Sequence, residues 1–281
     1  MILDKRADLR HGDVKKLLFS LSVPTITSQI VNMLYNLVDR VFIGHMQPAE
    51  TVGKLALTGV GVCLPIIMVI SAFASLMAIG GAPRASIAEG AGESEKSERI
   101  MGNCLTMLVI TALVLTVLFE SFAEPLLLMF GASENTIGYA LDYMRIYALG
   151  TIFVQLTLGM NAYITAQGFA TVSMKTVLIG ALLNTALDPL FIFVLGLGVR
   201  GAALATVISQ AVSTVWVLSF LTGKKTVLKI RKKYLRMEAG VVLPGLALGL
   251  APFIMQASES VITVCFNASL LKYGGDVAVG A

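Results

Sequence analysis

The stretch GKLALTGVGVCLPIIMVISAFASLMAIGG, Gly53–Gly81, decides the fold. Apart from Lys54 at its edge it carries no charge. A helix needs about 20 mostly apolar residues to cross the hydrocarbon core of a bilayer, and this stretch is long enough to do so with tilt. It shows no period-2 alternation, which argues against a barrel strand. Working outward, six further apolar segments of spanning length lie at 17–44, 100–123, 135–165, 171–196, 201–222 and 241–271. The composition agrees. Apolar residues make up 56% of the 281 and charged ones only 14%, against about 25% charged in a soluble domain. That balance excludes a single water-soluble core and a disordered chain. The 26 glycines without a three-residue period and the three cysteines exclude collagen and disulfide scaffolds. The predicted fold is an all-α integral membrane protein with about seven transmembrane helices. The first span follows Lys15-Lys16, lacks a small-residue cleavage site and is read as retained.

Basic residues set the orientation. With the N-terminus in the cytoplasm, the inner segments hold Lys5, Arg6, Arg10, Lys15 and Lys16 in the tail, and Arg84, Lys96 and Arg99 after span 2. Lys175 follows span 4, and Lys224, Lys225, Lys229, Arg231, Lys232, Lys233 and Arg236 follow span 6. The outer segments hold only Lys54, Arg200 and Lys272. The net charge of +4 is therefore topogenic and does not point to nucleic acid. The segment KKTVLKIRKKYLR, 224–236, places Val227, Ile230 and Tyr234 at helical spacing among basic residues. It is expected to form an amphipathic helix on the inner leaflet. Cys63, Cys104 and Cys265 fall in apolar spans and are read as small buried hydrophobes. His11 and His45 have no ligand spacing, and no phosphate-binding loop, GxSxG or HExxH occurs. Neither an enzyme nor a cofactor is expected.

Ionisable groups at membrane depth are costly and mark function by default. Asp39 lies in span 1 within YNLVDRVFIG, 35–44, where Tyr35, Asn36 and Asp39 share one helix face. Asp188 lies in span 5 within NTALDP, 184–189, four residues after Asn184. Pro189 has no N–H and is expected to kink the helix and free a carbonyl beside the carboxylate, a setting suited to cation coordination by hard oxygens. Counting from the span ends, Asp39, Asp188 and Thr206 all fall about 8–12 Å below the outer boundary at 1.5 Å per residue. They define one candidate layer in the outer half. Asp142 and Arg145, three apart, are expected to satisfy each other. Glu259 sits in mid-span 7 without a cation nearby in sequence and is a candidate ion or proton carrier.

The ordered set of motifs resembles the multidrug and toxic compound extrusion (MATE) family, prokaryotic branch. The matching stretches are Pro24 with YNLVDRVFIG, GGAPRASIAEG at 80–90, AQG at 166–168, NTALDP at 184–189, GAALAT at 201–206 and LAPFIMQASE at 250–259. The resemblance implies an antiporter that exports cationic or amphiphilic organic compounds, driven by Na⁺ or H⁺, with no cofactor. It implies twelve spans in two six-helix lobes in a bacterial or archaeal cytoplasmic membrane. It carries cation binding onto Asp39, Asn184, Asp188 and Thr206, with Tyr35, Asn36 and Glu259 as further cation or substrate candidates. The expected organisation is a cytoplasmic tail (1–16), a six-helix N-lobe (17–222), a basic linker (223–240), and span 7 as the first helix of an incomplete C-lobe (241–281). The chain ends soon after span 7, and a missing C-lobe is expected to be needed for transport. Two other readings stand beside this one: a lipid-linked or polysaccharide flippase of the same broader fold, disfavoured because only Arg40 and Arg145 lie in spans, and a non-transporting membrane subunit.

Overall fold

A computed structural model describes residues 13–47 and 52–280. The tail residues Lys5, Arg6, Arg10 and His11 lie outside the described residues. Eight α-helices follow in order: α1 Val14–Gly44, α2 Lys54–Gly90, α3 Ser94–Met129, α4 Ile137–Leu149, α5 Thr151–Ala166, α6 Ala170–Pro189, α7 Val199–Thr222 and α8 Ala239–Gly280. Six of the described helices are long and apolar enough to span a membrane, and the bent pair α4–α5 makes a seventh span. Every predicted span thus has its counterpart, and the chain is a multi-pass membrane protein.

The differences from expectation are local. Span 4 is broken at Gly150, where α4 and α5 meet at 56°. The break lets α7 approach, since a Cβ on Gly150 would run into the Val207 side chain. Pro189 ends no span. The helix continues as a wider π turn, Leu190–Val194, which accommodates the missing N–H. Asp142 pairs with Arg200 at the start of α7 at 2.8 Å, rather than with Arg145. Cys63 and Cys104 are buried as expected, but Cys265 is exposed on α8.

α2 is the central helix, buried along much of its length. An apolar cluster around Cys63, Ile66, Ile70, Leu115 and Met144 joins it to α3, α4 and α7. A second cluster around Met77, Met101, Leu108, Met160 and Tyr163 forms the end nearer the linker. α8 lies against α2 in a seam of small residues. A Cβ on Gly80 would strike the Gly245 carbonyl, and one on Gly249 the Leu76 carbonyl. Such residues let two backbones approach where hydrocarbon solvent offers no hydrophobic drive. Ser260 donates to the Pro65 carbonyl at 2.9 Å, and the Arg84 guanidinium to the Val241 carbonyl at 2.8 Å. α1 is packed least. Only Asp39 and Ile43 of its 31 residues are buried.

The basic segment after α7 corrects the amphipathic-helix expectation. It is an irregular strap with one 3₁₀ turn, Lys232–Tyr234. The Gln167 side-chain oxygen accepts from Thr226 Oγ1 at 2.8 Å and from the backbone N–H of Val227 and Leu228 at 2.9 Å each. Glu98 accepts from the Lys229 N–H and pairs with Arg231 at 2.6 Å, and Arg99 pairs with Glu238. With the backbone groups satisfied by side chains of the bundle, a helix of marginal length has no advantage. Leu228 and Tyr234 are buried in the bundle and do not face lipid.

Candidate cation-binding site

Asp39 is one of the two buried residues of α1. It is the sole ionisable group that α1 turns toward the bundle among its buried residues, on a helix whose apolar side chains are largely exposed. The expense of that arrangement points to a role beyond packing. Opposite it, on α6, Asp188 is fully buried and Asn184 is 2% exposed. The Asn184 amide donates to Asp188 Oδ1 at 3.1 Å and to Thr206 Oγ1 of α7 at 3.3 Å. The i, i+4 spacing of Asn184 and Asp188 places them one above the other, and Thr206 completes the bridge to α7. Hydrogen bonds thus join Asn184, Asp188 and Thr206 across α6 and α7, and Asp39 of α1 lines the same cavity as Asn184 and Thr206. No ion pair joins Asp39 to Arg40 among the described residues, and Arg40 is exposed.

The cluster is short of hydrogen-bond donors. Asp39 Oδ1, Asp188 Oδ2 and Asn184 Oδ1 are buried without a hydrogen-bond partner. Leaving one such acceptor unmet costs on the order of 1–3 kcal/mol, and more for a charged one. Two carboxylates, an amide oxygen and a hydroxyl are a hard-oxygen donor set. A proton on a carboxyl, or a small cation between the oxygens, supplies the missing partner.

The cluster forms one end of a cavity of about 200 Å³. Tyr35, Asn36 and Asp39 of α1, Tyr143 and Tyr147 of α4, and Asn184 of α6 line it, together with Thr206, Ser209, Gln210 and Ser213 of α7. Tyr35 and Asn36 line the cavity, and the Asn36 amide donates to the Asn32 carbonyl at 2.7 Å. Glu259 does not line the cavity and is exposed on α8. Sequence reasoning missed Tyr143 and Tyr147, whose rings stack at 5.9 Å and whose i, i+4 spacing was the available signal. It also stopped at Thr206 on α7. Ser209, Gln210, Ser213 and Thr214 continue the same polar face at three- and four-residue spacing.

Known proteins resemble this chain in sequence and fold. The MatE family model matches residues 24–190, more than half of the chain. The chain is 27% identical over 264 residues to the multidrug export protein MepA of Staphylococcus haemolyticus, covering 94% of this chain and 57% of that protein. The fold superposes on the MATE multidrug transporter DinF-BH, solved in complex with R6G, with a TM-score of 0.90 at 37% identity, covering 100% of this chain and 61% of that one. A MOP superfamily transporter from Pyrococcus furiosus matches with a TM-score of 0.85 at 27% identity, covering 98% of this chain and 61% of that one. The chain therefore spans about 60% of the length of the relatives it matches. On the family match over most of its first six spans, and on a fold shared at 37% identity with a multidrug transporter, this chain belongs to the MatE family.

Proposed function

We propose that the protein is a cation-coupled antiporter, using Na⁺ or H⁺ to export cationic or amphiphilic organic compounds across the cytoplasmic membrane of a bacterium or archaeon. Its N-terminus lies in the cytoplasm, on the side of the basic strap. The observation that carries this reading is the donor-poor cluster of Asp39, Asn184, Asp188 and Thr206 at membrane depth. Relatives named as multidrug exporters supply the cargo class. Because the chain spans about 60% of those relatives, the reading includes a second lobe to complete the cargo pathway.

The mechanism follows from the cluster's electrostatics. With Asp39 and Asp188 both charged and unmatched in a low-dielectric site, the cluster repels itself, and α1 is held at a cost. A proton or Na⁺ in the cluster removes that repulsion and ties α1 to α6 and α7. α1 is poorly packed and carries Pro24 inside the helix, so a bend there is cheap. Coupling arises because the ion binds one arrangement of α1 better than the other, and the shift cannot exceed that difference in affinity. Asp39 and Asp188 bind the ion, Asn184 orients Asp188, and Thr206 orients Asn184 and offers its oxygen.

The test is ion binding to the purified chain, by calorimetry with Na⁺ and by proton release in weak buffer, beside ion-driven efflux of a fluorescent organic cation from vesicles. Binding of one of the two ions is expected, with loss in Asp39→Asn and in Asp188→Asn. Wild-type binding in both variants, or ion-driven efflux that survives both, overturns the reading.

A further inference from the structure

The cavity below the cluster is deeper than ion binding alone requires. On α1 its lining runs from Asp39 to Asn32, on α6 from Asn184 to Thr176, and on α7 from Thr206 to Ser213. Each run is eight or nine residues, about 10–12 Å of helix, and all three lead in the same direction, away from the outer boundary. A cluster about 8–12 Å below that boundary and a floor about 10 Å further in place the floor past the midplane of a core about 30 Å thick.

The lining mixes apolar side chains, Ile67, Val154, Leu158 and Val177 among them, with a run of polar ones. Ser209 is 3% exposed, Ser213 2% and Thr176 fully buried, yet all three line the cavity. Ser209 Oγ and Gln210 Oε1 have no hydrogen-bond partner. A cavity of this size has room for several waters, which would meet those two atoms. Gly180 keeps the middle open. A Cβ there would stand 2.8 Å from Ser213 Oγ. One helical turn past the floor the character changes. Val172 beneath Thr176 and Val217 beneath Ser213 are buried in the apolar cluster nearest the strap, with Ile164 and Leu221. Polar atoms remain there among the described residues: the Tyr163 hydroxyl is buried without a partner, and the Asn161 amide donates to the Ser173 carbonyl at 3.3 Å while its Oδ1 is buried without one.

We propose that this cavity is the coupling ion's way to the cytoplasm: a hydrated passage inside the six-span unit, leading from Asn184 and Asp188 to Thr176 and Ser213 and closed by a thin plug of Val172, Ile164 and Val217. The ion then leaves through this unit itself, separately from the cleft that carries the cargo. The proposal rests on the cation reading of the Asp39–Asp188 cluster and on the cytoplasmic N-terminus. Thermal opening of a plug one helical turn thick is enough to release the ion, and Asn161 is a polar step within it.

Single cysteines test the passage. In a Cys265→Ser background, with Cys63 and Cys104 buried, the variants are Thr176→Cys, Ser209→Cys and Ser213→Cys, with Val215→Cys on the exposed flank of α7 as the lipid-facing control. A small membrane-impermeant methanethiosulfonate is added to vesicles whose sidedness is fixed by protease access to an N-terminal tag. From the side of the N-terminus, Thr176→Cys and Ser213→Cys are expected to react at least about tenfold faster than Val215→Cys, because the reactive thiolate is suppressed in apolar surroundings. Ser209→Cys, further in, reacts more slowly than either, and Val217→Ala in the plug raises all three rates. Reaction only from the opposite side, rates no faster than Val215→Cys, or Ser209→Cys reacting first from the N-terminal side overturns the passage. Adding Asp188→Asn separates the two readings. Slowing of the Ser209→Cys reaction by Na⁺ or acid is expected to vanish while entry of the reagent persists. If that slowing survives Asp188→Asn, the cation assignment fails and the passage stands.

Discussion

Asn184→Ala is the sharpest perturbation of the proposed site. The amide makes two contacts, to Asp188 Oδ1 at 3.1 Å and to Thr206 Oγ1 at 3.3 Å. A hydrogen bond to a charged group contributes about 1.5–3 kcal/mol and a neutral one about 0.5–1.5 kcal/mol. Removing both, at a site where Asp188 is fully buried, is expected to cost about 2–4 kcal/mol. By the scaling for chains of this size class, that lowers the melting temperature by about 5–15 °C. The buried thiols of Cys63 and Cys104 report unfolding through a thiol-reactive fluorophore, once the exposed Cys265 is replaced by Ser. The decisive measurement is the double-mutant cycle with Asp188→Asn. Once residue 188 is a neutral amide, the loss of Asn184 no longer strands a buried carboxylate, so the second substitution costs less than it does alone. A coupling of about 1–2 kcal/mol is expected, within the range for residues in one network. Additivity to within about 0.3–0.5 kcal/mol would show that Asn184 is packing only and that the cluster is not an electrostatic unit.

Gln167→Ala strands two backbone donors of the strap, Val227 N–H and Leu228 N–H, while Thr226 Oγ1 keeps the Leu228 carbonyl; a loss of about 1–3 kcal/mol for each one left unmet should appear as faster proteolysis within 224–236. Gly249→Val sets a branched side chain against the Leu76 backbone and is expected to cost about 1–3 kcal/mol, read as a lower melting temperature, whereas Gly240→Ala, with open space around it, is expected to change it little. Arg200→Ala removes an exposed ion pair to Asp142 and should cost less than about 1 kcal/mol, a difference that disappears in high salt. Tyr147→Phe keeps the stacking on Tyr143 and removes only a hydroxyl, so ion binding should survive it, while Tyr147→Ala, which empties one wall of the cavity, should weaken it.

Much of this architecture was legible because a bilayer imposes simple rules. Every backbone polar group in hydrocarbon must bond within its own segment, so long apolar runs are helices wherever they occur. That is why seven spans and their order could be read residue by residue. Depth was legible too, since a helix converts residue number into distance, and Asp39, Asp188 and Thr206 fell in one layer by counting alone. Where a reading failed, a neighbour remote in sequence had intervened. Arg200 claimed Asp142 from Arg145, Gln167 and Glu98 unmade the expected surface helix by bonding its backbone, and Val207 packs where span 4 is broken, against a position that only a glycine fits.

The sequence by itself determined the class, the span order, the family and the identity of the four residues at the cluster, because these follow from composition, local periodicity and ordered motifs. Only the tertiary structure decided that their faces converge. Helix rotation about its own axis is set by packing against other helices, and no count along the chain reports it. The same packing brought Tyr143, Tyr147 and the polar face of α7 onto the site, placed Glu259 away from it, and extended the cavity from Asn184 and Thr206 to Thr176 and Ser213.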